Sequence, residues 1–414
     1  MNAFSWTFLA ALAAATLTRL WLARRQAAHV RAHRDAVPPE FTAVIPLAAH
    51  QKAADYTVAK VRLGALEVLL GAAVLLILTL GGLLEWISAA WARVLEAGSL
   101  WHGTVLIASV VVLLSALELP VAVYRTFVIE ARFGFNRMTL RLFLSDLAKS
   151  AVLGAALGLP LIVLVLWLMQ RMGEAWWLYV WLAWMGFNLL VLLAYPTFIA
   201  PLFNRFTPLA DPALAGRIQA LLARCGFRSN GLFVMDGSRR SAHGNAYFTG
   251  FGAAKRIVFF DTLLARLAPA EVEAVLAHEL GHYRRHHVWK RIALLAAMSL
   301  VLLWVLGVLI DEPWFYAGLH AGAPGAAMGL LLFVLVMPVF TFFLQPLGSL
   351  YSRRHEFEAD AYAAAHASAA ELVKALVKLY QDNAATLTPD PVHSAFYDSH
   401  PPAALRIARL QASA

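Results

Sequence analysis

Cysteine is nearly absent. Cys225 stands alone in 414 residues, which excludes an intramolecular disulfide framework and leaves no Cys-based metal site. A lone thiol of this kind reads as a small buried apolar side chain. Charge is scarce as well: Asp, Glu, Lys and Arg make up only 14% of the chain and hydrophobic residues 61%, where a soluble globular chain carries about a quarter charged residues. With a mean hydropathy of +0.66, these figures describe a multispanning membrane protein. No internal repeat and no low-complexity tract is present. The net charge of +9 gives no nucleic-acid signal, because Arg and Lys are spread through loops between apolar runs and form no basic domain interleaved with aromatics. Membrane topology accounts for them better.

Apolar runs at 4–23, 63–84, 104–123, 151–170, 176–199, 290–310 and 326–346 predict seven transmembrane helices. Arg24, Arg25, Arg31 and Arg34 follow the first run; a cleaved signal peptide carries its charge ahead of the run, so this helix is retained with its N-terminus outside. Arg19, near its end, snorkels toward the interface. Arg125, Arg132, Arg137, Arg141 and Lys149 place the loop after the third span inside, and the segment 311–325, with no Lys or Arg, lies outside. Glu67 and Glu118 fall within or near spans, as functional carboxylates or as interfacial or paired acids. Between 201 and 285 the character changes. Asp211-Pro212 caps and starts a helix, and 231–235, 245–250 and 256–260 read as short strands. The expected architecture is a mainly α membrane protein with an inserted α+β domain. Its divisions are five helices in 1–200, the α+β insertion in 201–289, helices six and seven in 290–350, and the rest of the inserted domain in 351–414.

The chemistry centres on HELGH at 278–282, within 268–291, which reads as one long helix. His278 and His282, at i and i+4, share a helical face and can aim imidazole nitrogens at one ion, the zinc-protease pattern. Glu279 stands beside the first ligand, where a carboxylate takes a proton from a water acidified by the ion. A catalytic zinc needs a third protein ligand. The extended motif fails, since Arg285 and Val288 occupy the positions of its Gly and third His. Asp311 and Glu312 are carried across the membrane by the sixth span, which leaves Glu356, Glu358 and Asp360 in SRRHEFEAD at 352–360. Glu356 and Asp360 share a face while Glu358 points roughly 200° away at about 100° per residue. Glu356 is therefore assigned as third ligand, with Asp360 accepting the other N–H of a ligand imidazole. Seven crossings bring 278–282 and 356 to the same inner side. His286 and His287 lie about two turns past His278, about 12 Å further along a continuous helix, and too far to share the metal.

These stretches, together with FVIEARFGFN at 127–136, IAPLFN at 199–204, Asn245 to Tyr247, RIVFFDTLL at 256–264 and SHPP at 399–402, resemble the type I CAAX prenyl proteases, integral-membrane zinc endopeptidases. The resemblance implies seven helices ringing an intramembrane chamber capped on its inner side by the zinc domain. It implies one zinc ion, an edge strand at Asn245, Ala246 and Tyr247 that holds substrate by β-addition, and His400 and Arg406 reaching the active site to stabilise an oxyanion. The expected partners are the lipid bilayer and a peptide or protein, isoprenylated or otherwise membrane-associated. Two other functions are weighed: a membrane quality-control zinc protease of the heat-shock type, which the long N-terminal membrane part argues against, and a channel or transporter with structural zinc, which normally needs four protein ligands. An Ala-, Leu- and Arg-rich composition points to a bacterial plasma membrane ahead of the endoplasmic reticulum, with the zinc domain and C-terminus cytoplasmic.

Overall fold

The computed structural model describes residues 1–249, 256–322 and 324–412. Among them, seven helices are long and apolar enough to cross a membrane. The first, α1 (Ala3–Ala32), starts on an Asn2 cap. The second, α2 (Leu47–Leu78), starts well before the apolar run, because its first half, with His50, Lys52, Asp55 and Lys60, extends beyond that run. A short α3 (Leu83–Trp91) precedes α4 (Leu100–Tyr124), which continues through a π-helical turn at Arg125–Glu130. Next come α5 (Leu140–Arg171) and α6 (Trp176–Ala194), the latter running through a second π turn at Tyr195–Ile199 into α7 (Ala200–Phe203). The neighbours α1–α2, α4–α5, α5–α6 and α6–α11 (His287–Leu309) continue through α13 (Ala326–Thr341) back to α1, and the π turn after α4 closes on α2. In six of the seven spans only 6–22% of the most apolar window is buried, so most of these side chains face lipid or the space inside the ring. One cavity within it, about 260 Å³, is lined by Leu12, Arg19, Glu67, Leu114 and Val339. Glu67 is paired with Arg125, and Glu118 lines a neighbouring cleft with both of them.

The inserted part begins with β1 (Phe206–Pro208), a strand too short to show in the hydrophobic pattern, and α8 (Pro212–Arg224), capped by Asp211 as its sequence predicts. With β2 (Leu232–Met235), β3 (Ala246–Thr249) and β4 (Arg256–Phe260) it forms a sheet in the order β1-β2-β4-β3. The β2–β4 pair is parallel; β1–β2 and β3–β4 are antiparallel. Gly250, the last residue expected in the third strand, lies outside the described residues. Among the described residues β3 pairs only with β4, Ala246 opposite Phe259, and so forms an edge. Ile218 and Leu221 of α8 and Ile257 and Phe259 of β4 pack with Leu276 and Leu280 of the helix that follows α9 (Asp261–Leu264).

That helix, α10 (Pro269–Arg284), is where the structure corrects the sequence reading. The predicted single helix over 268–291 is broken: the amides of Arg285 and His286 bond back to Gly281 and Tyr283, His286 takes a left-handed φ of 57°, and α11 starts at His287. Helical periodicity runs through the break without a Gly or Pro to mark it, and a non-Gly residue at positive φ is not announced by composition. After α12 (Pro313–Gly318), α13 passes through a 3₁₀ turn at Phe342–Leu344 into α14 (Gln345–His366), giving an almost unbroken helical path over Ala326–His366. The chain ends in α15 (Ala369–Asp382), α16 (Pro391–Tyr397) and α17 (Ala403–Ala412).

α10 and α14 meet at Gly281. A Cβ there would stand 2.9 Å from Ala359 Cα and 3.0 Å from Ala359 O, backbone atoms that cannot swing aside. Gly281→Ala is therefore expected to push the helices apart and cost about 1–3 kcal/mol, the usual price of overpacking. Thermal unfolding of detergent-purified protein checks this, and an unchanged Tm would show that the contact has slack.

Candidate active site

Helical phase brings two imidazoles of α10 to one face, and the close crossing of α14 sets a carboxylate against them. His278 Nε2 lies 3.1 Å from His282 Nε2 and 3.5 Å from Glu356 Oε2, and His282 Nε2 lies 3.3 Å from Glu356 Oε1. Among the described residues this is the group of three whose donor atoms converge for a metal ion. The spacing fits one: a tetrahedral ion with bonds of about 2.1 Å holds its ligand atoms about 3.4 Å apart. The wiring fits too. Glu356 is 2% exposed and its Oε2 has no hydrogen-bond partner, a buried acceptor that costs free energy unless something positive meets it. Burial opposes charge on His278, but Asp360 and Glu356 outweigh it and push that imidazole up to about 9. The pocket thus favours positive charge.

Asp360, one turn beyond Glu356, has Oδ1 2.9 Å from His278 Nδ1, although by hydrogen-bond geometry that nitrogen lacks a partner. The contact is best described as a bent, charge-driven approach. Arg406 of α17 clamps Asp360 through both oxygens, at 2.8 and 2.6 Å. Its Nη1 is 3.7 Å from Glu356 Oε2. His400 Nε2 stands 3.5 Å from the same oxygen, with its Nδ1 3.0 Å from Ser399 Oγ. Burial pushes the Glu279 carboxyl above its usual range, against the pull of His278 and His282. It faces a cavity of about 390 Å³ that His278, Glu356, His400, Arg406, Asn245 and Ala246 also line.

The residues named from sequence do not all converge. Tyr247 points to the other face of the sheet, as alternation along a strand requires: its hydroxyl is 4.0 Å from Met235 Sδ and its ring packs edge-on against Phe260. Glu358 turns away from the triangle. His287, placed about 12 Å off by a continuous helix, instead lies with Nδ1 2.9 Å from His282 Nδ1, because the left-handed residue before it folds the chain back. Two further cavity residues carry no motif signal. Tyr380 of α15 is pushed up by burial and stays protonated. Asn383 accepts from the Gly244 amide at 3.3 Å and so fixes the lead-in to β3.

A His-Glu-x-x-His helix and a carboxylate from a second helix, facing a cavity and set among seven membrane-crossing helices, define a membrane metalloendopeptidase. Residues 26–205 match the family described as CAAX prenyl protease N-terminal, five membrane helices, and residues 208–414 match Peptidase family M48; the chain belongs to this family. It is 37% identical over 292 residues to the CAAX prenyl protease 1 homolog of Dictyostelium discoideum, covering 69% of this chain and 67% of that protein. It is 34% identical over 309 residues to CAAX prenyl protease 1 of Saccharomyces cerevisiae, covering 71% and 68%. The crystal structure of S. mikatae Ste24p superposes with a TM-score of 0.91 at 29% identity and 99% coverage of both chains.

The Arg406–Asp360 pair is 6% and 4% exposed. Removing the cation strands a buried carboxylate, so Arg406→Met is expected to destabilise by about 3–5 kcal/mol. Arg34→Met, which breaks an exposed pair with Asp55, is the control and should leave Tm almost unchanged. Equal Tm values for the two variants would mean that the buried pair contributes nothing.

Proposed function

We propose that this chain is a zinc endopeptidase that cuts peptide bonds near the C-terminus of an isoprenylated CAAX-type or other membrane-associated polypeptide. The observation that carries the reading is the triangle of His278, His282 and Glu356 donor atoms beside Glu279, at the wall of a cavity reached by the β3 edge. Those three residues would hold one zinc ion, which when bound supplies Lewis acidity to the scissile carbonyl and to water. Glu279 takes the proton from the attacking water and later delivers it to the departing amine; a carboxyl lifted above its ordinary range by burial suits both steps. Asp360 holds His278 in orientation and Arg406 holds Asp360. His400, on the cavity side of Glu356, is positioned to donate to the developing oxyanion, with the Arg406 charge behind it.

Substrate lies along the open edge of β3, gripped through the backbone of Asn245, Ala246 and Tyr247. This mode makes Tyr247's outward side chain compatible with a binding role, since main-chain bonds and not its ring supply the hold. The division into 1–200, 201–289, 290–350 and 351–414 separates the membrane ring from the two parts of the zinc domain. We place the N-terminus outside and the zinc domain on the cytoplasmic face, because the Arg- and Lys-rich loops share that side; the Ala-, Leu- and Arg-rich composition favours a bacterial plasma membrane.

The test is cleavage of a farnesylated CAAX peptide and its unprenylated twin by purified protein, with and without chelator. Glu279→Gln is expected to lower kcat by about 10²–10⁴-fold, the usual span for a lost general base, with zinc still bound. Cleavage by Glu279→Gln at the wild-type rate would sink the mechanism, and equal cleavage of both peptides would remove prenyl selectivity.

A further inference from the structure

A second line of polar contacts ends on His282, and it enters at the helix break. His287 Nδ1 is 2.9 Å from His282 Nδ1, and His287 Nε2 is 3.1 Å from Glu358 Oε2. Glu358 Oε1 in turn accepts from Arg354 Nε at 3.1 Å. His287 is 1% exposed and its ring stacks on His355 with centroids 3.9 Å apart. Two imidazole nitrogens at 2.9 Å need one proton between them, and a neutral imidazole has one donor and one acceptor.

The carboxylate decides the direction. Glu358 presents only lone pairs, so the His287 nitrogen facing it, Nε2, must carry the proton, and Nδ1 is left as the acceptor. The proton between the rings then sits on His282 Nδ1, and His282 Nε2 is left with a free lone pair, aimed at Glu356 Oε1 and His278 Nε2. This arrangement satisfies every atom from Glu358 to His282 Nδ1 and leaves Nε2 for the metal. The reverse sets the His287 lone pair against the Glu358 carboxylate and puts the His282 proton on the nitrogen that should ligate.

We infer that His287 and Glu358 are positioning residues, which hold His282 in the Nδ1-protonated tautomer with Nε2 free for the metal. Asp360 faces His278 Nδ1 in the corresponding place, so each of the two imidazoles is oriented from behind by its own carboxylate, directly in one case and through a second imidazole in the other. The left-handed His286 is what makes this geometry available: it ends α10 and turns the next side chain back under His282. The inference rests on the proposed role of His282 as a metal ligand.

The test measures zinc affinity of the full-length, detergent-purified protein by competition with a chromophoric chelator, for the wild type, His282→Ala, His287→Phe, Glu358→Ala, Glu358→Gln and the His287→Phe/Glu358→Ala double variant. Phe keeps the stack on His355. His287→Phe and Glu358→Ala are each expected to weaken zinc binding about 10–100-fold, as loss of a ligand's hydrogen-bonding partner does. Glu358→Gln, which keeps an acceptor oxygen for His287, should stay close to the wild type. The double variant should bind zinc about as His287→Phe does, because the two act in series. Wild-type affinity in His287→Phe, or fully additive losses in the double variant, would overturn the inference. Should His287→Phe fail to fold, Glu358→Ala decides: its carboxylate is 28% exposed, and unchanged zinc affinity in that variant overturns the inference alone. Zinc retained by His282→Ala would instead defeat the ligand assignment beneath it.

Discussion

Everything in the site depends on how near two helices approach. The donor atoms of His278 and His282 on α10 and of Glu356 on α14 stand 3.1–3.5 Å apart, and short side chains reach that spacing only if the backbones almost touch. Gly281 facing Ala359, with Ala277 and Ala363 fully buried in the same contact region, permits this. Ordinary helix pairs sit 8–10 Å apart, depending on the side chains between them. Small residues here lower that separation, and the metal-facing polar groups occupy the space left at one side of the seam. The apolar core of α8, β4, α10 and α15 then backs the seam from the other side.

Around this seam acidic and basic side chains alternate. Glu356, Asp360 and Glu279 are carboxylates; His278, His282, His400 and Arg406 stand between or beside them. Buried charges of one sign would be prohibitive, and pairing them repays desolvation only when hydrogen bonds complete the arrangement. Arg406 does so for Asp360. Glu356 Oε2 makes no hydrogen bond to the protein although His278, His400 and Arg406 stand 3.5–3.7 Å from it, which leaves acceptor capacity that a metal ion would use.

Much of this was legible in the residues. The seven spans, the grouping of HELGH with 352–360, and the convergence of Glu356 but not Glu358 all follow from helical phase and from counting membrane crossings, because both depend on periodicities that the chain displays directly. What periodicity cannot show is where a helix changes direction without Gly or Pro. His286 adopts a left-handed conformation inside a pattern that reads as continuous, and this is why His287 lies against His282 and not further along the axis. β1, three residues long, has too little pattern to register, and its pairing with β2 comes from tertiary contact. Tyr380 and Asn383 lie on a stretch whose sequence reads as an ordinary amphipathic helix, so only the packing of α15 against α10 reveals which side chains face the cavity.

The seventh span continues past its most apolar residues: α13 passes through one tight turn into α14, and the path carries Glu356 on the same rod. At a rise of 1.5 Å per residue, Glu356 sits about 22 Å beyond Thr341. His278 and His282 are tied to the membrane from the other direction, through the short hinge into α11. The height of the site is therefore set by helix length, as on a ruler: each residue added or removed between Thr341 and Glu356 would shift the carboxylate by about 1.5 Å against the two imidazoles.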